Sequence, residues 1–175
     1  MPEAHENLNA LETNAAAQVL QRCCGSQRWV AQMLAQRPFA STASLLATAK
    51  EVFRSLDETD YLEAFAHHPA IGEDPQALAQ RFASTAALSR SEQAGVQGAS
   101  HATLAALRSD NIAYRERFGF IFLVCATGKN ASEMLALLRE RLNNDRTTEV
   151  RVAAAEQEKI TTLRLAGIGL AGLAS

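Results

Sequence analysis

Residues 99–118 carry the sequence ASHATLAALRSDNIAYRERF, in which alanine and leucine are frequent and β-branched residues occur only singly. Apolar positions lie three or four residues apart, as with Leu104 and Leu107 or Tyr114 and Phe118. This spacing puts apolar side chains on one face of a helix, and alanine and leucine are strong helix formers. The stretch therefore predicts a helix that buries one face.

The same pattern extends over most of the chain and predicts an all-α fold. At 175 residues, with 47% hydrophobic and 21% charged residues, the chain is suited to one folded domain. We predict a single-domain compact bundle of about eight or nine helices over residues 1–175, with a C-terminal tail from about residue 166. The predicted helices are 11–24, 27–36, 44–56, 58–67, 75–82, 89–95, 99–118, 132–142 and 148–165.

Composition and charge argue against several classes of protein. The net charge is -2 and the basic residues form no stripe, so we expect no nucleic-acid partner. The N-terminus lacks the pattern of a signal peptide, and no apolar run approaches the roughly 20 residues that span a bilayer, so we expect no membrane partner. The three cysteines form neither a CxxC pair nor a zinc pattern, which indicates a cytoplasmic protein without a metal.

Two segments resist the helical pattern, residues 68–74 and 118–126. Pro69 disfavours helical geometry at His68, so the preceding helix should end there, with an imidazole at its C-terminus. The helix dipole favours a protonated histidine at this position, which suits either a proton donor or a simple helix cap. The run 118–126 is equally compatible with a short buried strand, and within it Cys125 suits packing better than nucleophilic chemistry.

A polar cluster stands at the predicted start of the helix over residues 89–95. Ser89, Glu92 and Gln93 supply a hydroxyl, a carboxylate and an amide close together. The spacing from Ser89 to Glu92 also fits a capping box, so helix capping alone explains the pattern.

In their order along the chain, these motifs resemble those of the 2-oxo-4-hydroxy-4-carboxy-5-ureidoimidazoline (OHCU) decarboxylase family. The resemblance extends from Leu8-Asn9 through Trp29 to Leu165. Its motifs are His68-Pro69, Ser89-x-x-Glu92-Gln93, Phe118-Gly119-Phe120 followed by Phe122-Leu123-Val124-Cys125-Ala126, and Ile160 with Arg164-Leu165.

The resemblance implies an all-helical, often dimeric, carboxy-lyase of uric acid catabolism that needs no metal or organic cofactor. Its reaction converts a small anionic imidazoline, the OHCU carboxylate, to (S)-allantoin and carbon dioxide. By residue match His68 is the catalytic acid and Glu92 its charged partner. The residues implied to contact the substrate are Pro69, Ser89, Gln93, Phe122, Leu123, Val124, Cys125, Ala126 and Arg164.

Elementary chemistry makes this activity plausible without a cofactor. A carboxylate one carbon away from a ring C=N bond can leave as carbon dioxide while the imine takes up the electron pair. The protein then has to orient the carboxylate, stabilise the developing charge and deliver a proton to one face of the ring. A histidine at a helix end suits the last of these tasks.

Some features depart from the family pattern, and other functions stay open. Ile121 stands where the family often has proline, and His67 adjoins His68 as a lesser candidate for the acid. The main alternative is a non-catalytic helical binding module in which His68 and Glu92 only cap helices. A thiol-dependent oxidoreductase is disfavoured because a CxxC motif is missing. The enzyme hypothesis requires His68, Glu92 and Arg164 to meet in one pocket.

Overall fold

The computed structural model describes residues 2–71 and 98–169, which contain eight helices. They are α1 (Ala4–Ala10), α2 (Thr13–Cys23), α3 (Gln27–Ala35), α4 (Thr42–Arg54), α5 (Glu58–Ala66), α6 (His101–Phe118), α7 (Ala131–Arg141) and α8 (Arg146–Ala166). No strand occurs within the described ranges, so the predicted all-α class is confirmed. The predicted helices 75–82 and 89–95 lie outside the described residues.

Seven of the helices agree with the sequence-based prediction to within a few residues, whereas α1 was not predicted. This helix has seven residues and buries only Ala4 and Leu8, which is too little for a periodic pattern. A capping box stabilises its start, because the side chains of Glu3 and Glu6 each accept a hydrogen bond from the other residue's backbone N–H. Because α1 depends on polar capping more than on apolar burial, apolar periodicity did not predict it.

Local signals fix where several helices begin and end. The Ser26 hydroxyl accepts from the Trp29 N–H at 3.2 Å to start α3, and Ser41 does the same for Ser44 at 3.0 Å to start α4. At the end of α6, Gly119 adopts φ 82°, a left-handed conformation that glycine accepts without strain. These signals mark where α3 and α4 begin and where α6 ends.

The described residues form two compact units, and their boundary falls within α5 and α8. Unit 1 comprises residues 2–64 and 157–169, and unit 2 comprises residues 65–71 and 98–156. The predicted extent of a single domain over 1–175 stays a prediction.

Unit 1 has a helical core in which α3 packs against α2 and α4. The Trp29 indole is fully buried, and its Nε1–H donates to the Ala49 carbonyl at 3.1 Å. Beyond α8, Ile168 is also buried, and its carbonyl accepts from Asn7 Nδ2 at 3.4 Å. The first residues of the predicted tail thus pack within this unit, and residues 170–175 lie outside the described part of the chain.

Unit 2 is organised around aromatic rings, with α6 packed against α7. The Tyr114 ring lies 4.7 Å from Phe118 and meets Phe122 edge-on at 5.5 Å, measured between centroids. The Phe65 and Phe120 rings lie 5.4 Å apart. Within residues 2–71 and 98–169 no helix is both long and apolar enough to cross a bilayer.

Candidate functional site

His68 lies just beyond the end of α5, as its proline neighbour predicted. The helix ends at Ala66, and the His68 N–H donates to the Phe65 carbonyl at 3.1 Å. The His68 side chain is buried, with the residue 6% exposed, whereas His67 is exposed. The two adjacent imidazoles therefore have opposite environments, and only that of His68 is shielded from bulk water.

Two contacts fasten the turn that contains His68. On one side the Phe65 ring packs against Phe120. On the other, Asn111 of α6 donates from Nδ2 to the Ile71 carbonyl at 3.3 Å and to the carbonyl of Leu107, one helical turn earlier, at 2.8 Å. The turn is thereby held between α6 and the segment that begins at Phe120.

That segment, which we call the buried run, comprises residues 120–126. Every residue in it is buried, with none more than 8% exposed. Its backbone is neither helical nor paired in a sheet, so of the two possibilities that the sequence left open, the short buried strand is wrong. A strand needs a neighbouring strand for its hydrogen bonds, and the described part of the chain contains none.

Side chains replace the missing sheet partners of the buried run. Arg141 donates from Nη1 to the Leu123 carbonyl at 2.7 Å, and the Glu156 carboxylate accepts from the Cys125 N–H at 2.7 Å. Lys129 adds a bond from Nζ to the Cys125 carbonyl at 2.9 Å. All three are charge-assisted hydrogen bonds, which are stronger than those between neutral groups.

Some other backbone N–H groups of the buried run lack an acceptor in the part of the chain that the structure describes. Within residues 2–71 and 98–169, the N–H groups of Phe122 and Val124 make no hydrogen bond. A buried donor without a partner costs about 1–3 kcal/mol, so native proteins seldom leave one empty. Such donors are suited to bind a carbonyl or carboxylate oxygen of a ligand.

A buried charge network stands behind this run. Arg141, 7% exposed, donates from Nε to the fully buried Glu149 carboxylate at 2.6 Å. The Tyr114 hydroxyl also donates to Glu149, and burial raises the pKa of Tyr114, which keeps this donor protonated. The Arg141 guanidinium lies over the Phe122 ring, 4.7 Å from its centroid.

Sequence analysis missed Arg141, Glu149 and Glu156. A signal for Arg141 existed, because it continues the buried stripe of α7 that contains Met134 and Leu138. A charged residue at an apolar position of a helical pattern needs a buried partner, and this pattern marks Arg141 as unusual.

Arg164 is buried in unit 1. Its Nη1 donates at 2.8 Å to the carbonyl of Arg22, in the last turn of α2. Although Arg164 stands in the last turn of α8, it is not a surface residue. Its predicted contact with an anionic substrate stays a prediction.

The remaining predicted site residues divide into two groups. Pro69 and Leu123 are described and buried, as are the other members of the buried run. Ser89, Glu92 and Gln93 lie outside the described residues. The meeting of His68, Glu92 and Arg164 in one pocket consequently stays a prediction.

Comparison with known proteins gives a consistent result. A family model described as OHCU decarboxylase matches residues 9–166. The chain is 39% identical over 146 residues to the uric acid degradation bifunctional protein TTL of Arabidopsis thaliana, covering 82% of this chain and 44% of that protein. It is 38% identical over 135 residues to the 2-oxo-4-hydroxy-4-carboxy-5-ureidoimidazoline decarboxylase of Amia calva, covering 75% of this chain and 74% of that one.

The fold is similar to that of a solved structure. A crystal structure of an OHCU decarboxylase in the presence of (S)-allantoin superposes with a TM-score of 0.73 and 35% sequence identity. The match covers 85% of this chain and 95% of the solved one. The similarity therefore extends over nearly all of that protein, in contrast to the bifunctional plant relative, of which this chain spans less than half.

Proposed function

The chain belongs to the OHCU decarboxylase family, and on that premise we propose that it converts the OHCU carboxylate to (S)-allantoin and carbon dioxide. The family resemblance drawn from the sequence motifs is confirmed. The relative from Amia calva is named a decarboxylase, which is a carboxy-lyase, and the plant relative is named a bifunctional protein of uric acid degradation. The proposed substrate is accordingly a small anionic imidazoline.

The proposed reaction has three linked events. The bond between the ring carbon and the carboxylate breaks, and carbon dioxide leaves. The electron pair passes into the adjacent ring C=N bond, so the substrate supplies its own electron sink and no cofactor is needed. A proton is then added to one face of the ring carbon that carries the ureido group, which fixes the configuration of the allantoin.

One observation supports the assignment of roles within unit 2. The turn with the buried His68 is fastened beside the buried run, two of whose N–H donors have no acceptor among residues 2–71 and 98–169. In this proposal His68 delivers the proton, a task that contributes about 10²–10⁴-fold to a rate. The Phe122 and Val124 N–H groups bind a ring oxygen, where negative charge grows as carbon dioxide leaves.

The other assigned roles rest on residue matches to the family motifs. Glu92 acts as the charged partner of His68. Contacts with the substrate come from Pro69, Ser89, Gln93, Leu123, Cys125, Ala126 and Arg164. For Glu92→Gln we expect a loss of turnover larger than the loss of substrate affinity, because the substitution removes a charge but keeps the shape. Single-turnover rates and product binding, measured separately, test this; a defect in affinity alone contradicts it.

A direct assay tests the activity. The imidazoline is generated in situ from urate by the upstream enzymes. Its decay and the optical rotation of the allantoin product are followed with and without this protein. We expect faster decay and one allantoin enantiomer. Unchanged decay to racemic product, from protein shown to be folded by circular dichroism, would refute the enzyme and leave the helical binding module.

The proposal includes a homodimer located in the cytoplasm. All three cysteines are buried thiols that form no disulfide, which suits a reducing compartment. Sedimentation equilibrium tests the dimer, with an expected mass twice the 18.9 kDa of one chain. A mass of one chain at micromolar concentration would contradict it.

A further inference from the structure

Two side chains of opposite charge hold consecutive peptide groups of the buried run. The Arg141 guanidinium binds the Leu123 carbonyl, and the Glu156 carboxylate binds the Cys125 N–H, each at 2.7 Å. Val124 lies between them. Within the ranges 2–71 and 98–169 neither its N–H nor its carbonyl has a hydrogen-bond partner.

The geometry of a peptide group links Arg141 to the Val124 N–H. In a trans peptide the C=O and N–H of the same group point in opposite directions. A bond from Arg141 to the Leu123 carbonyl therefore directs the Val124 N–H away from the guanidinium. The positive charge also draws electron density toward the carbonyl oxygen, which makes the N–H of that peptide a stronger donor.

The Glu156 carboxylate has the complementary effect on the next peptide. Its bond to the Cys125 N–H directs the Val124 carbonyl away from Glu156 and makes that oxygen a stronger acceptor. Val124 thus offers a polarised donor and a polarised acceptor from one residue. A ring carbonyl with a neighbouring ring N–H, as in the proposed imidazoline, has the matching pair of groups.

We propose that Arg141 is a positioning residue for decarboxylation, which orients and polarises the Leu123–Val124 peptide so that the Val124 N–H binds the substrate ring. This inference rests on the proposed function. Arg141 does not touch the substrate; it acts through the peptide group.

The identity of the side chain supports a positioning role. The planar guanidinium reaches two acceptors at once, the Glu149 carboxylate and the Leu123 carbonyl. Stability alone gives a poor reason for this network, because replacing a buried ion pair by apolar groups is often neutral or stabilising. A lysine keeps the charge but lacks the fork that holds both acceptors.

The test compares Arg141→Lys with Arg139→Lys, an exposed arginine on α7 that pairs with Asp110. We expect Arg141→Lys to lower kcat about tenfold with a smaller change in KM, a fraction of the roughly 10²–10³-fold lost when a whole oxyanion donor is removed. Arg139→Lys leaves both constants nearly unchanged. Without ligand, the Val124 amide proton resonance of Arg141→Lys should move upfield, as expected for a weaker hydrogen bond at the Leu123 carbonyl.

Two results would overturn the role of Arg141. One is unchanged kcat per folded molecule in Arg141→Lys, and the other is a lower kcat with an unchanged Val124 resonance. If the wild-type protein fails to accelerate decay of the imidazoline, the proposed function fails instead, so the two failures are distinct.

A second variant keeps the test decisive if Arg141→Lys does not fold. Incorporating the α-hydroxy analogue of valine at position 124 converts the Leu123–Val124 peptide to an ester and deletes the Val124 N–H. The pair of Arg141 and Glu149 stays intact. We expect kcat to fall by about 10²-fold or more, and full kcat in the folded ester variant would refute the inference.

Discussion

Two buried parts of the molecule satisfy their backbone in different ways. Around Trp29 in unit 1, helices α2 to α4 pair their own peptide groups, and apolar side chains fill the space between them. In unit 2 the run 120–126 is equally buried but has no regular backbone pairing. Charged side chains from Arg141, Lys129 and Glu156 bond to it instead.

The helical core around Trp29 contributes mainly to stability, whereas the run 120–126 is suited to bind a ligand. In the interior of a helix the backbone groups bond to one another, so only the helix ends have groups left for a ligand. The buried run depends on a few distant charged side chains, which leaves the Phe122 and Val124 donors open within residues 2–71 and 98–169. Irregular backbone of this kind is where binding sites commonly form. Substitutions in the first region should therefore reduce stability, and those in the second should reduce turnover.

The largest effect is expected for His68→Asn, which removes the proposed proton donor but keeps an amide in a similar volume. Catalysed decay should slow by about 10²–10⁴-fold while the far-ultraviolet circular dichroism and the melting temperature stay close to those of the wild type. The matched control is His67→Asn, whose side chain is exposed and should matter little. Equal losses at the two positions would contradict the assignment of His68 as the proton donor.

In the helical region, Trp29→Ala should lower the free energy of unfolding by about 3–5 kcal/mol. The indole is fully buried, and its N–H bond to Ala49 is lost with it. Urea denaturation measures the change. Leu163→Ala on α8, at a half-exposed position, is the control and should stay within about 0.5 kcal/mol of the wild type. Similar losses in both variants would contradict the packing of this core.

The pH dependence of stability tests burial in the same unit. Burial raises the pKa of the Cys24 thiol from 9.0 to about 11 in the folded protein. Below pH 9 the thiol is protonated in both the folded and the unfolded protein, so it does not alter the free energy of unfolding. As the pH rises from 9 to 11, only the unfolded protein loses this proton, which lowers the free energy of unfolding by an amount on the order of 2–3 kcal/mol. Cys24→Ala should flatten the fall in unfolding free energy between these pH values. A slope identical to that of the wild type would show that the thiol is accessible to water.

The smallest effect is expected for Asn130→Ala, at the junction between the irregular segment and α7. The Asn130 side chain accepts from the Glu133 N–H at 2.9 Å, and the Glu133 carboxylate accepts from the Asn130 N–H at 2.8 Å. Loss of this cap should cost about 1 kcal/mol in urea denaturation. Ser132→Ala, exposed in the first turn of the same helix, is the control. A loss no greater than that of the control would mean that packing alone starts α7.

The helical region was the more predictable of the two. Apolar spacing identified α2 to α8, and the His68-Pro69 pair correctly ended α5. The pattern failed at α1, where polar capping by Glu3 and Glu6 contributes more than apolar burial.

Prediction of the site was limited by long-range contacts. Family motifs predicted roles for His68 and for the run containing Val124, because both belong to short, local patterns. The partners of that run were missed, since Arg141 and Glu156 stand 18 and 31 positions from the backbone groups that they bind. Nothing in local spacing links such residues before the fold brings them together.

We propose that the buried run and the turn of His68 together bind the ring of the substrate. Titration of nitrogen-15-labelled protein with each enantiomer of allantoin tests this most directly. We expect saturable shifts of the Phe122 and Val124 amide resonances with (S)-allantoin, and weaker changes at Cys125, whose N–H already binds Glu156. Binding of (S)-allantoin that leaves the resonances of residues 120–126 unmoved would contradict it.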